Sequence, residues 1–265
     1  MPTHWQTYDD VAETYERVRT PVHAPPARDL VDLVAPPPTA RILDVGTGTG
    51  VAAEAAAAVV GPEGLVVGID RSVPMLRLAQ PRHPRVVAAQ AIDLPFRDET
   101  FDVVLANFVI AFFTKYDTAL FDMLRVLRRG GKLGISWWGG GVDEFSRTWT
   151  ELAEALATKE LLRGAVKRAI PWNDVFRDRH RLEETLRDAG LREVHVTRRQ
   201  YRSTASQADY LAGRETSAEG RFLRETLGDR LWERFRERAA ATFRERFPDP
   251  LGDTNDVLIA VGTKD

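Results

Sequence analysis

The chain has 265 residues, a formal net charge of −2, no cysteine, and five lysines beside thirty-two arginines. This length allows a full hydrophobic core, and the near-neutral balance excludes sequence-blind adhesion to nucleic acid or anionic membrane. The missing thiols exclude disulfides, thiolate zinc sites and cysteine nucleophiles.

No apolar run approaches the roughly 18 residues of a membrane span. The first five residues lack the basic and apolar regions of a signal peptide, so a cytoplasmic location is expected. Residues 1–39 read as an N-terminal helical cover, with Trp5, Tyr8, Val11, Ala12 and Tyr15 at helical spacing. Pro21, Pro25 and Pro26 predict a broken link before a second helix over 27–34, and Pro36, Pro37 and Pro38 end the segment.

Residues 40–140 alternate strand and helix, the signature of a parallel sheet. Strands are expected at 41–45, 65–70, 86–89, 101–106 and 132–137, with helices at 51–60, 73–80 and 118–126. Apolar blocks such as Val103-Val104-Leu105 do not alternate with polar residues, as expected for strands covered on both faces. Gly130-Gly131 is expected to turn the chain into the fifth strand.

The most informative stretch ends the first strand: Asp44-Val45-Gly46-Thr47-Gly48-Thr49-Gly50. Glycines let a backbone turn sharply and approach a ligand closely, and the helix that follows presents unpaired N–H groups. Dinucleotide loops space their glycines G-x-G-x-x-G/A, and Val51 stands where the third would be. The carboxylate at Asp44 suits a cationic ligand better than a pyrophosphate.

Asp70 ends the second strand, where an acid grips ribose hydroxyls in open α/β sheets but also serves as a helix cap. After the third strand, the Asp93 carboxylate could accept from the exocyclic amine of a ring, with Ile92 and Leu94 near the ring's faces. Asp93 could equally initiate a turn before Pro95. Met75 is placed one turn into its helix, against the same ring or in the core. Asn107 closes the fourth strand, and Phe108, Phe112 and Phe113 make its exit apolar.

Beyond Trp138 the alternation stops. A helical insertion is expected over 141–180, a core helix (181–189) and strand (193–201) within 181–204, a second helical insertion over 205–252, and a last core strand within 253–265. Arg234, Arg236, Arg238, Arg244 and Arg246 interleave with Glu233, Glu237 and Glu245, a pattern of paired charges on a solvated helix face.

Taken together and in order, Asp44 to Gly50, Asp70, Asp93, the run 101–113 and the segment 124–133 resemble class I S-adenosylmethionine-dependent methyltransferases. The resemblance is to the ubiquinone/menaquinone-biosynthesis-type branch, which includes small-molecule tailoring enzymes. That branch's Arg-Pro-Gly-Gly reads Arg128-Arg129-Gly130-Gly131 here. The resemblance implies an α/β fold with a Rossmann-like, seven-stranded, mostly parallel sheet, an antiparallel last strand, and a helical lid from the N-terminus and the two insertions.

It also implies S-adenosyl-L-methionine as cofactor and methyl transfer to the oxygen, nitrogen or carbon of a small, largely apolar metabolite. The implied cofactor residues are Tyr8, Tyr15, Asp44, Gly46, Thr47, Gly48, Gly50, Asp70, Arg71, Met75, Ala91, Ile92, Asp93, Asn107 and Phe108. An NAD(P)-dependent oxidoreductase, a non-catalytic cofactor-binding scaffold and an RNA methyltransferase remain alternatives at this stage.

Transfer from an activated sulfonium mainly requires alignment, with a general base for a protonated acceptor. His4 and His23, beside the N-terminal cover, are the base candidates, with Asn107 at the reacting end. His83 is expected in a surface loop, His195 outward on its strand, and His180 at the mouth of the first insertion. No histidine pair has metal-ligand spacing, and no metal is expected. Phe112, Trp137, Trp138, Trp149 and Trp172 are expected to form an aromatic acceptor pocket. The oligomeric state carries no sequence signal.

Overall fold

Central strands buried over most of their length set the framework of this computed structural model, which describes residues 4–141 and 143–265. After two short 3-10 turns come α1 (Ala12–Val18), α2 (Thr20–Val34), β1 (Arg41–Val45), α3 (Val51–Val60), β2 (Leu65–Asp70), α4 (Val73–Ala79) and β3 (Val86–Ala88). They lead to β4 (Phe101–Asn107), α5 (Tyr116–Val126) and β5 (Leu127–Trp138). The second half adds α6 (Glu144–Glu154), α7 (Lys159–Ala169), α8 (Asn173–Phe176), α9 (Arg179–Asp188) and β6 (Leu191–Ala205). It ends with α10 (Gln207–Glu215), α11 (Ala218–Arg246) and β7 (Leu251–Lys264).

The seven strands form one sheet in the order β3-β2-β1-β4-β5-β7-β6. The pairs from β3 through β5 are parallel, and β7 runs antiparallel to both β5 and β6. Leu43, Val104 and Ile135 are fully buried, because helices cover both faces. One helix lies very close to the sheet: a Cβ on Gly134 would meet Val34 Cγ2 at 2.6 Å and Leu30 Cδ1 at 2.9 Å.

Strand order reverses between β1 and β4, with β2 and β3 on one side and β5 on the other. At such a switch point the loops leaving the strands diverge and open a crevice at their carboxyl ends. Asp44 lies in register with Gly68 and Leu105, and Asn107 with Ser136. The acid and the amide therefore come to the same rim.

Several boundaries differ from the sequence reading. Pro25 and Pro26 lie inside α2, with Pro21 in its first turn, so the expected proline link is helix, with packing of Leu30, Val31 and Val34 outweighing the lost hydrogen bonds. Gly130-Gly131 lies within β5 at a register irregularity against β4, because pairing already begins at Leu127. The helix expected from 181 begins at Arg179, where Asp178 caps it by accepting from His180 N and Arg181 N.

Strands β6 and β7 are longer than expected, and their pairing continues to Ala205↔Leu251, past the last β5 contact at Trp138↔Val257. This ribbon carries Leu251 into a second hydrophobic cluster with Trp5, Trp149, Leu162, Leu211, Trp232, Phe235 and Phe243. The N-terminal turn and both insertions thus share one core above the sheet. Within α11, Gly228 has non-helical φ/ψ and kinks the element.

Candidate functional site

The loop after β1 is organised around a buried carboxylate. Asp44 Oδ2 accepts from Thr47 Oγ1 at 2.6 Å and from Ala53 N at 3.0 Å. Its Oδ1 is buried and has no hydrogen-bond partner among the described residues. Burial pushes this carboxyl up to about 6, against the two hydrogen bonds that favour its ionised form. Such an oxygen fits a cationic donor in the cavity that Asp44 lines.

Gly46 has φ +69°, and a Cβ there would lie 2.3 Å from Val109 Cγ2, so the loop can pass under the β4 exit only as glycine. Gly48 N donates to Asp70 Oδ2 at 2.9 Å, and Ser72 N donates to Asp70 Oδ1 at 2.8 Å. Asp70 therefore pins the glycine loop to the end of β2 while keeping further lone pairs toward the cavity. Burial raises its carboxyl from the ordinary range. Arg71 turns its guanidinium back to Gln6 O at 2.9 Å, tying the N-terminal turn to this rim.

These residues line a cavity of about 370 Å³, a volume proper to a small-molecule site. Met75, Ala91 and Ile92 form one side, and Asn107 and Phe108 the other. Asn107 Oδ1 accepts from Ser136 Oγ at 2.6 Å, which fixes the amide's orientation. Phe108 has φ +52°, uncommon for a residue with a side chain, and its N–H donates to Ser136 O at 3.1 Å. Backbone strain held this firmly at a strand end is a feature of ligand sites.

The cavity's roof comes from the N-terminus. The Tyr15 and Tyr8 rings meet edge to face at 5.5 Å, and Tyr8 meets Phe112 at 5.9 Å. His23 stacks on Phe108 at 4.7 Å, and Phe108 lies 4.3 Å from Trp138. Tyr15 Oη and His23 Nδ1 are 3.0 Å apart. Burial pushes the His23 imidazolium down to about 3, so the ring is neutral at physiological pH.

A second cavity of about 550 Å³ shares Tyr8, Tyr15, His23, Phe108 and Phe112 with the first. These aromatic side chains form the waist between the two spaces. Trp137 and Trp138 line the second cavity on the sheet side, whereas Arg19, Asp143, Tyr210, Arg214 and Asp253 line its far wall.

Most expected site residues thus converge, with clear exceptions. Gly50 does not line the cavity; a Cβ there would meet Ala79 Cβ at 3.0 Å, so it serves the fit of α3 to α4. Asp93 is exposed, with φ +64°, and lies off the cavity wall. Its neighbour Leu94 is drawn inward instead, donating its N–H to the buried Asp122.

Trp149 packs 4.8 Å from Phe235 in the insertion core, and Trp172 donates Nε1–H to Thr114 O at 3.2 Å. Neither lines either cavity, because both are used to seat the insertions. The His4 side chain lies outside the described residues. His83 is buried, not in a surface loop; its backbone N–H closes the end of α4 on Ala79 O at 2.9 Å. His180 and His195 are exposed.

Sequence reasoning missed Thr20, Thr49, Gln90, Thr114 and Lys115 in the first cavity, and the far wall of the second. Gln90, Thr114 and Lys115 follow strand ends, so their position offered a signal. Arg19, Tyr210 and Arg214 offered none, since no motif marks them. Among the described residues, no helix is long and apolar enough to cross a membrane.

Comparison with known proteins gives a consistent result. Residues 43–135 match the family described as a methyltransferase domain. A demethylmenaquinone methyltransferase of Roseiflexus sp. (strain RS-1) is 42% identical over 104 residues, 38% of this chain and 43% of that protein. The match thus spans less than half of that relative's length. One from Streptomyces avermitilis is 32% identical over 175 residues, 63% of this chain and 71% of that protein. A solved S-adenosylmethionine-dependent methyltransferase structure from Thermotoga maritima covers 98% of this chain and 100% of its own, with TM-score 0.58 and 19% identity; at that identity the likeness speaks for the fold.

Proposed function

Given that this chain belongs to the class I S-adenosylmethionine-dependent methyltransferases, in the quinone-biosynthesis-type branch, we propose that it methylates a small molecule held in the second cavity. The first cavity then holds S-adenosylmethionine. The observation that carries this reading is the buried, unpartnered Oδ1 of Asp44, a residue that lines the first cavity, with a second cavity sharing that cavity's aromatic residues.

In this reading Asp44 orients the cationic methionine end, and Asp70 accepts from ribose hydroxyls with the lone pairs that Gly48 and Ser72 leave free. Ala91, Ile92 and Met75 bracket the adenine. The bound cofactor supplies an activated methyl group. The chain's own residues supply alignment, which is worth about 7–11 kcal/mol in a well-placed reaction.

Tyr8, Phe108 and Phe112 narrow the passage so that the acceptor meets the methyl group only along the waist, with water excluded. His23 stands there neutral. In the tautomer whose Nδ1–H donates to Tyr15 Oη, its Nε2 lone pair is free to take a proton. An oxygen or nitrogen becomes strongly acidic as the methyl arrives, so a weakly basic imidazole is sufficient.

The second cavity combines an aromatic wall with an ionic one, so the acceptor has an apolar body and a polar end. The arginines of α11 do not favour RNA: Arg236 donates to Glu215 at 2.9 Å and to Glu233 at 3.1 Å, which breaks up the basic face.

Thermal melts with S-adenosylmethionine, its demethylated product or NADH test the cofactor. At 100 times its dissociation constant, a ligand adds about 2.7 kcal/mol, which at this size moves the midpoint by roughly 5–10 °C. A shift with both sulfur nucleosides and none with NADH is expected; the reverse would overturn the proposal. Asp70→Ala should weaken binding of the demethylated product by about 1.5–3 kcal/mol, the worth of hydrogen bonds to a charged group. Calorimetry giving the wild-type affinity would remove Asp70 from the site.

A further inference from the structure

Arg19 joins α1 to α2 and lines the second cavity. Its Nη2 donates to Gly213 O at 2.6 Å, and its Nε makes a long contact of 3.4 Å with Thr216 Oγ1. Among the described residues it pairs with no carboxylate. A guanidinium has more N–H donors than these two contacts use, so donors remain for something in the cavity.

A second cation stands on the same wall. Arg214 gives Nη2 to Glu219 Oε2 at 2.8 Å, while its Nε is buried with no partner. Burial, and then the charge of Arg214, disfavour the Arg19 cation. Two guanidiniums set together in a part-buried wall are costly where the nearby carboxylates are held by other partners, and an anionic ligand would offset that cost.

The acidic residues on this wall are already engaged. Asp143 accepts from Ser146 N at 2.6 Å, Ser146 Oγ at 2.7 Å and Tyr210 Oη at 3.2 Å. Asp256 is ion-paired with Arg198 and accepts from Gln200 Nε2 at 2.9 Å. Asp253 accepts from Thr254 N at 2.7 Å and Asn255 Nδ2 at 3.1 Å, and burial together with Asp143 shifts its carboxyl toward the neutral form against the weaker opposing pull of Arg19, with which it forms no ion pair among the described residues.

We propose that the polar end of the acceptor is an oxyanion, a carboxylate or a phosphate, gripped by Arg19 with Arg214 beside it. The inference rests on the second cavity being the acceptor site. A planar guanidinium fork fixes direction as well as position. With the anion held at the far wall, the acceptor's body lies against Trp138 and Phe108, and its nucleophilic end points at the waist.

The test titrates benzoate, phenyl phosphate, benzamide and benzylamine into the chain saturated with S-adenosylhomocysteine, by calorimetry. Benzoate or phenyl phosphate should bind roughly tenfold or more tightly than benzamide, and whichever is tighter identifies the oxyanion. Arg19→Gln should abolish that preference, and Arg19→Lys, which keeps the charge but loses the fork, should retain part of it.

No binding of either anion, equal binding of benzamide, tightest binding of benzylamine, or a preference that survives Arg19→Gln would each overturn the proposal. Affinity for S-adenosylhomocysteine in every variant shows that the fold is intact. Its absence in the wild type would count against methyl transfer alone, since the same titrations without it still test Arg19.

Discussion

Replacing Asp44 with asparagine should make the ligand-free protein more stable at pH 7 and a much poorer binder of S-adenosylmethionine. The two effects share a cause. The folded carboxyl titrates at about 6 instead of 3.8 because burial penalises its charge. Its ionisation therefore costs stability: the contribution of this group is most favourable below the unfolded value, falls as pH rises from about 4 to 6, and stays at the lower level above that.

A shift of about two units corresponds to about 3 kcal/mol, and an asparagine oxygen can still accept from Thr47 Oγ1 and Ala53 N. Relief of that penalty, less about 1 kcal/mol for the amide nitrogen left without an acceptor at the Oδ1 position, should raise the midpoint at pH 7 by roughly 4–8 °C and flatten the profile between pH 4 and 6. Meanwhile the ligand's cation loses its counter-charge, so affinity should fall about 10- to 150-fold. In the wild type, affinity should itself weaken below about pH 6, as the carboxylate takes up its proton. Melts across pH 4–8 with calorimetry at pH 7 decide the matter. A variant that is destabilised and binds normally would make Asp44 a loop brace and nothing more.

The second large effect is expected from Gly46→Ala, at about 2–5 kcal/mol of lost stability. Left-handed backbone at φ +69° costs a side-chain residue about 1–2 kcal/mol. The added methyl also stands 2.3 Å from Val109 Cγ2, and overpacking of that kind adds about 1–3 kcal/mol. Gly48 is the internal control: its φ is +55° but nothing lies within 4 Å of a Cβ there. Gly48→Ala should therefore lose only the backbone part, and Val109→Ala should rescue part of the Gly46→Ala loss. Equal denaturation midpoints for the two alanine variants would show that the Val109 contact does not matter.

Both residues were legible because they lie in a loop whose function depends on backbone shape. A carboxylate before alternating glycines marks the end of β1 in any context, and Asp70 marks the end of β2 at the spacing a βαβ unit imposes. Asp93 is placed away from the expected site for the opposite reason. Its position in the chain matched the pattern, but the inward pull on Leu94, whose N–H bonds to Asp122, leaves the aspartate side chain exposed and off the cavity wall. Trp149 and Trp172 were misjudged by composition: an aromatic near a lid fits an acceptor pocket and a packed insertion equally well, and contacts with Phe235 and Thr114 O choose the latter.

The parallel core, the glycine loop and the acids at the ends of β1 and β2 were readable from residue order alone. These are local consequences of hydrophobic period and backbone freedom. What faces the second cavity depends instead on long-range packing. Arg19 at the junction of α1 and α2, Arg214 in α10 and the ribbon of β6 and β7 are separated by long stretches of chain. They meet because the N-terminal turn and both insertions must bury their apolar faces in one shared core. That burial is cooperative and non-directional, so it leaves no motif at the polar residues it happens to bring together.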